Sequence, residues 1–404
     1  MGMSFWNPLT CITGCLVVYS VGEFLSKKTK GAVSSLLFAC VLFLIGFWSG
    51  LLPKDITTQS GLVAVMANFG TAFMITNIGT LINLEDLIRE WKTVVISLFA
   101  IAAIALICFT VGSLLFGREY ALIAAPPVAG STVAGIIVTS AAEAANRPEL
   151  AAFAVLVLSV QKFFGIPIST FCIRKELRIK RGSGFFKSNT VEEKSSLKLP
   201  SMRIFKETPK NLRSNTIYIC KVALVACIAD FVGKATLIPG SSPANYILNP
   251  NIAYLLFGLI FARIGFLEKD IFAKANSSGI ITFGLLLMLP GSLATLSPSG
   301  LLSMIVPVFG ILLICSIGII VICGIVGKVL GCSPYTSAAV GVTCMLAYPA
   351  TQIITTEGVD SFEWADDERQ KAMDYILPKM IIGGFVTVTI ASVAFASIIG
   401  PIIF

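Results

Sequence analysis

The sequence predicts an all-α polytopic membrane protein: two inverted five-helix repeats, each with a re-entrant hairpin, and ten spanning helices in total. Three observations carry that expectation. Of 404 residues, 56% are hydrophobic and only 13% are charged, against about 25% charged in an average soluble domain. Mean hydropathy is +0.88, and apolar runs of about 20 residues, the length that crosses a bilayer, recur from end to end. The net charge of +8 is concentrated in one place, Arg174 to Arg213, with 12 basic and 4 acidic residues. A basic block between apolar runs reads as a cytoplasmic loop and not as a nucleic-acid surface.

The elements follow in order. The N-terminus, MGMSFWNPLTCITG, has no basic stretch before its first apolar run, so no cleaved signal peptide is expected. Trp6 also breaks the myristoylation pattern. Spans are expected over Asn7–Phe24, Ala32–Leu52, Gly61–Leu81, Thr93–Phe116 and Pro148–Ile173. A second set covers Thr216–Leu237, Ile247–Leu267, Ser278–Leu296, Leu301–Leu330 and Ala372–Ile399. Trp6, Trp48, Trp91 and Trp364 fall near predicted ends, where interfacial aromatics belong.

Two stretches break the pattern. ALIAAPPVAGSTVAGIIVTSAAE (Ala121–Glu143) is apolar enough to cross, but Pro126-Pro127, Gly130 and Gly135 oppose a straight helix. Charge counting decides its topology. The link SKKTKG after the first span and the Arg174–Arg213 block should both be cytoplasmic. Five intervening crossings would put them on opposite sides, whereas four put both inside. The stretch 120–142 is therefore expected to enter from outside and return, with Pro126-Pro127 breaking its entering arm. The same count makes 334–357 a hairpin entering from the cytoplasm and puts both termini outside. The chain divides into a first repeat (1–173), a basic cytoplasmic linker (174–213) and a second repeat (214–404), in the inner (plasma) membrane.

An odd number of crossings per half forces inverted topology. Sequence echoes support the repeat. NFGTAFMITNIGTL (Asn68–Leu81) aligns with TFGLLLMLPGSLAT (Thr282–Thr295), and Glu119-Tyr120 with Pro334-Tyr335. VQKFFG (Val160–Gly165) aligns with LPKMIIG (Leu377–Gly383), which equates Lys162 with Lys379.

Several chemistries are excluded or disfavoured. Histidine is absent, which removes catalytic triads, His proton shuttles and most zinc sites. The 11 cysteines lie scattered in apolar runs without a Cys-x-x-Cys pair and read as packing residues. No paired aspartates or HExxH motif lies at membrane depth, so an enzyme is not expected, and no cofactor is called for.

Candidate binding residues lie where helices break, because irregular backbone at membrane depth needs protein or water around it. The first hairpin offers Gly130, Ser131, Thr132 and Gly135. The second offers Thr343, Tyr348, Pro349, Ala350, Thr351 and Gln352. Small and hydroxyl residues also pack helices, so each has a structural alternative. Lys162 sits near the middle of a span, at a cost of roughly 3 kcal/mol. It could hold an anionic solute, occupy a cation's place, or bond to carbonyls of an unwound hairpin. Lys379 poses the same choice nearer the interface. Asp230 and Lys234 form an i,i+4 pair, as do Glu23 and Lys27. Pro290-Gly291 interrupt a helix opposite Asn77. The break is either a kink filled by neighbours or part of an ion site with Asn77 and Thr343 as ligands.

MITNIGTLINLEDL (Met74–Leu87) and AYPATQIITTEG (Ala347–Gly358) resemble the third-helix and second-hairpin patterns of the bacterial glutamate:sodium symporter family, related to the sodium–citrate carriers. The resemblance covers nearly the whole chain. It implies Pro349, Ala350 and Thr351, with Gly130 and Gly135, as the carried-over site. It also implies Na⁺-coupled symport of a small carboxylate or amino acid such as glutamate, by motion of a hairpin-bearing core against a scaffold. The tip VAGSTVAG has fewer glycines than the family's and no His, and the membrane lysines are additional. The expected partners are a small anionic solute and the lipid bilayer, not nucleic acid, and a homodimer is one assembly this allows. Alternatives are an H⁺-coupled or Na⁺-independent exchanger, a cation/proton antiporter and a non-transport membrane scaffold subunit.

Overall fold

The computed structural model describes residues 5–29, 35–82, 84–130, 132–186, 203–238, 246–346 and 350–403. Among them there is no strand, only an isolated bridge between Leu237 and Tyr246. Among the described residues, six helices are long and apolar enough to cross a membrane: α1 (Pro8–Lys28), α4 (Trp91–Phe116), α5 (Pro148–Gly182), α6 (Asn215–Ala235), α9 (Pro298–Val329) and α10 (Asp367–Ile403). Shorter apolar helices lie between them: α2 (Ser35–Ser49), α3 (Thr71–Leu81), α7 (Pro250–Arg263) and α8 (Ser278–Leu293), with Thr132–Ala144 a fifth. The protein is an all-α, multi-pass membrane protein.

Local chemistry starts these helices where they start. Asn7, Ser214, Asn249 and Ser297 each cap a helix through the side-chain oxygen, and Pro8, Pro250 and Pro298 occupy the first turn, where no N–H is needed. Lys27 and Lys28 close α1 against its negative end.

Packing is organised by pairs. The backbones of α3 and α7 touch directly. A methyl added at Gly79 would lie 2.6 Å from the Leu255 carbonyl oxygen, and one at Gly258 would lie 2.3 Å from that of Thr76. Small residues permit this approach, and van der Waals contact is what holds helices together in lipid. Helix α8 meets α2, where the Trp48 indole donates to the Leu296 carbonyl (2.8 Å). Helices α4 and α9 cross with the Cys108 and Cys315 sulfurs 3.6 Å apart, both buried.

The interruption expected at Pro290-Gly291 is present, since Ser278–Leu286 ends and Pro290–Leu293 resumes after a turn. Proline has no N–H for the carbonyl four residues back, that of Leu286. The Tyr19 hydroxyl of α1 donates to this carbonyl (2.7 Å). The break is thus filled by a neighbouring helix.

Helix α5 runs on past Ile173 to Gly182, through residues the charge pattern assigned to the linker. Its continuation is amphipathic: Ser169, Cys172, Ile173, Glu176 and Leu177 are buried, while Arg174, Arg178 and Arg181 are exposed. Another part of the expected linker is anchored. Thr208 donates to the buried Glu268 carboxylate from its backbone (3.0 Å) and its hydroxyl, and Lys274 (3.2 Å) and Lys221 (3.8 Å) stand beside it.

Candidate functional site

Two helical hairpins fold back on themselves. The first is Arg118–Val128 and Thr132–Ala144. Its two ends are tied by Glu119 and Arg147, which make paired hydrogen bonds, one of 3.1 Å. That pair holds the Glu119 carboxyl below its ordinary range. The second is Pro334–Val342, a 3-10 turn over Thr343–Met345, and Ala350–Asp360. Both of its ends rest on one level of α5: Ser333 donates to Glu176, and Gly358 packs on Ile173, three residues before Glu176.

The first tip differs in detail from the expectation. Pro126 and Pro127 lie inside the last turn of the entering helix, which continues to Val128. A proline's fixed φ suits a helix, and only the bonds to the Leu122 and Ile123 carbonyls are lost. The chain turns at Gly130, at φ +89°, a region open to glycine and costly for other residues. A methyl there would lie 1.4 Å from the Cys344 carbonyl oxygen, so the first tip sits directly on the 3-10 turn of the second hairpin.

Helix α5 passes the same junction. It is irregular at Gln161, which is buried. With its amide nitrogen facing the first hairpin, Gln161 donates to the carbonyls of Pro127 (3.0 Å) and Val128 (3.3 Å). Lys162 follows at once, and Gly165 packs on Met345 and Leu346 of the second hairpin. Lys162 and Gly165 are i,i+3 neighbours on one helix face. Lys162 is half-buried and has no hydrogen-bond or ion-pair partner among the described residues. One turn beyond Gly165, the buried Ser169 hydroxyl is also without a partner among the described residues. From the other side, Gly383 and Gly384 of α10 abut Thr343 and Thr351, both buried, and Val388 reaches Gly130.

The expected site residues therefore separate. Gly130, Lys162, Thr343 and Thr351 gather at the junction, with Thr132 and Ala350 half-buried at the starts of the returning arms. Gly135 lies one turn into its arm against Leu158, and Gln352 is exposed. Ser131, Tyr348 and Pro349 lie outside the described residues. Lys379 does not share the place of Lys162. It bonds the Tyr375 carbonyl (2.7 Å) and stands over that residue's ring, beside the base of the second hairpin. Asn77 accepts from the Phe272 backbone N–H (3.2 Å), holding the short helix Ile271–Lys274 against α3. Asp230 pairs with Lys234 (2.7 Å) and accepts from the Tyr254 hydroxyl (2.6 Å).

Glu176 escaped the sequence reading. It is 1% exposed. It accepts from Ser333 at the base of the second hairpin and from the Tyr375 hydroxyl of α10 (2.9 Å). One side chain thus joins α5, the hairpin and α10. The signal available was the apolar i,i+3,i+4 face of Ser169, Cys172, Ile173 and Leu177, which runs through the basic cluster.

The junction offers the Lys162 ammonium and the Ser169 hydroxyl without partners among the described residues, a chemistry of binding. Among the described residues, no three His, Cys, Asp or Glu side chains come together to hold a metal ion. No protein-family model and no curated protein matches the chain.

Proposed function

We propose that the protein is a secondary active transporter of a small anionic solute, a carboxylate or an amino acid such as glutamate, working by alternating access. The observation that carries the reading is the meeting of the hairpin tips beside Lys162, a membrane-depth cation left without a partner among the described residues. An intramembrane ionisable group facing irregular backbone is a mark of a solute pathway.

The architecture we infer is ten crossings in two inverted repeats. Six long helices and the four shorter ones, α2, α3, α7 and α8, make ten candidate crossings among the described residues, with Thr132–Ala144 left as a hairpin arm. The pairings support a twofold relation: α3 on α7 answers α8 on α2, α5 on the second hairpin answers α10 on the first, and α4 meets its counterpart α9. The tied ends of each hairpin support re-entry from one side. On this reading the basic segment is cytoplasmic, both termini are outside, and the hairpin-bearing core moves against a scaffold, as the resemblance to glutamate:sodium symporters implies. Na⁺ is the coupling ion that resemblance favours. The Leu122 and Ile123 carbonyls, which Pro126 and Pro127 leave without helical donors, are suitable oxygen ligands.

The test is uptake of labelled glutamate and other small carboxylates into proteoliposomes, with and without a Na⁺ gradient. Lys162→Ala is expected to abolish uptake while the protein stays folded. Uptake at the wild-type rate by that variant would overturn the role of Lys162, and absence of carboxylate uptake by the wild type under any gradient would overturn the substrate class.

A further inference from the structure

The first arm of the second hairpin, α5 and α9 leave between them a groove of about 380 Å³. Pro167, Ile168 and Phe171 of α5, Ile320 and Gly324 of α9, and Tyr335 of the hairpin form its walls. Phe171 is 63% exposed, so the groove opens on the lipid-facing side. A side chain built at Gly324 would meet nothing within 4 Å, so the α9 wall is vacant there.

Three cations lie one to two helical turns beyond these walls. Arg174 and Arg178 follow Phe171 by three and seven residues along α5, and Lys328 follows Gly324 by four along α9. These spacings return to the same helix face. All three are exposed, and none has an ion pair or hydrogen bond among the described residues. Arg178 also lines a more polar cavity of about 640 Å³ with Arg181, Phe362 and Glu368.

We propose that this groove is a binding site for one anionic phospholipid. An acyl chain occupies the apolar groove between the hairpin and its two supporting helices, and the phosphate is held by Arg174, Arg178 and Lys328. The two halves of the site together select the ligand. A zwitterionic lipid fills the groove but brings its own cation to the basic rim. A free phosphate answers the rim but leaves the groove empty. Only an amphiphile with net negative charge satisfies both, and basic residues at the membrane edge attract such headgroups. The site includes the first arm of the second hairpin, so the lipid is a structural neighbour of the moving part in the transport reading but does not depend on that reading.

The test is native mass spectrometry of the full chain in detergent, titrated with dioleoyl phosphatidylglycerol, dioleoyl phosphatidylcholine or glycerol phosphate. One phosphatidylglycerol is expected to bind saturably, with phosphatidylcholine much weaker and glycerol phosphate unable to displace it. Each of Arg174→Gln, Arg178→Gln and Lys328→Gln should weaken binding about fivefold. Gly324→Leu, which fills the groove, should abolish it, while Gly279→Leu, at another open position away from the site, should not. Equal binding of the two phospholipids, or full binding by the triple glutamine variant, overturns the headgroup assignment. Unchanged binding by Gly324→Leu, or displacement by glycerol phosphate, overturns the acyl-chain assignment. None of these readouts requires transport, so transport can fail independently.

Discussion

Gly130 rests its backbone on the carbonyl oxygen of Cys344, and this contact joins the tips of two hairpins more than 200 residues apart in the chain. Gly130→Ala meets two penalties there: a left-handed backbone, about 1–2 kcal/mol, and a collision with main chain, about 1–3 kcal/mol. A loss of roughly 2–5 kcal/mol is expected in thermal unfolding of the purified protein. Gly331→Ala is the control. Gly331 has φ +73° and open space around it, so it should lose only the first part.

Gln161 covers two buried carbonyls of the first tip. Gln161→Leu removes both bonds and leaves the Pro127 carbonyl with the Gly130 N–H alone (2.8 Å), at about 1–3 kcal/mol in all. Gln161→Glu, when ionised, places an acceptor against acceptors and should cost more. The ranking wild type, Leu, Glu in unfolding temperature checks this, and equal stability of the three would remove the hydrogen bonds from the account.

Glu176 holds three elements through two hydroxyls. Glu176→Ala should loosen the base of the second hairpin, and Glu176→Gln, which keeps one acceptor and one donor, should loosen it less. Cys172 lies buried one turn earlier on the same face. Its alkylation rate by a membrane-permeant maleimide, read by peptide mass spectrometry, should rise in the order wild type, Gln, Ala.

Glu268 gives the loop after α7 an acid limit. Burial alone would raise its pKa, but hydrogen bonds from the Thr208 hydroxyl and backbone N–H, and from Lys274, hold it down to about 2. The folded value lies below the unfolded one, so the tether's contribution is complete above pH ~4.3. It is lost as pH falls from there through about 2. Protection of the Thr208 amide, its exchange rate taken relative to the intrinsic rate at each pH, should fall across that window in the wild type and already be low at neutral pH in Glu268→Gln.

The sequence made the helical class and the hairpin positions legible, because apolar length and the Pro/Gly punctuation of 121–143 and 334–357 are local signals. The filling of the Pro290 break was not legible, since it depends on Tyr19, far away in the chain. The matching of Lys162 with Lys379 rested on a short string echo. The structure separates them because Lys379 is held at Tyr375, near the hairpin base, while Lys162 sits at the tips. Glu176 was hidden for another reason. Charge counting treats a basic cluster as solvated, whereas the helix there has a buried face on which a single acid can point inward.

The glycine crossing of α3 and α7 has a mechanical consequence. Side chains between helices act as rollers, because they can change rotamer while one helix slides past another. Between Gly79 and Gly258 there are none; main chain bears on main chain. Sliding at that point would force carbonyls over one another, so the two helices are clamped as a fulcrum. Whatever part of the molecule swings, the displacement is taken up elsewhere, and a spin-label pair straddling this crossing should report a constant distance in every state the protein visits.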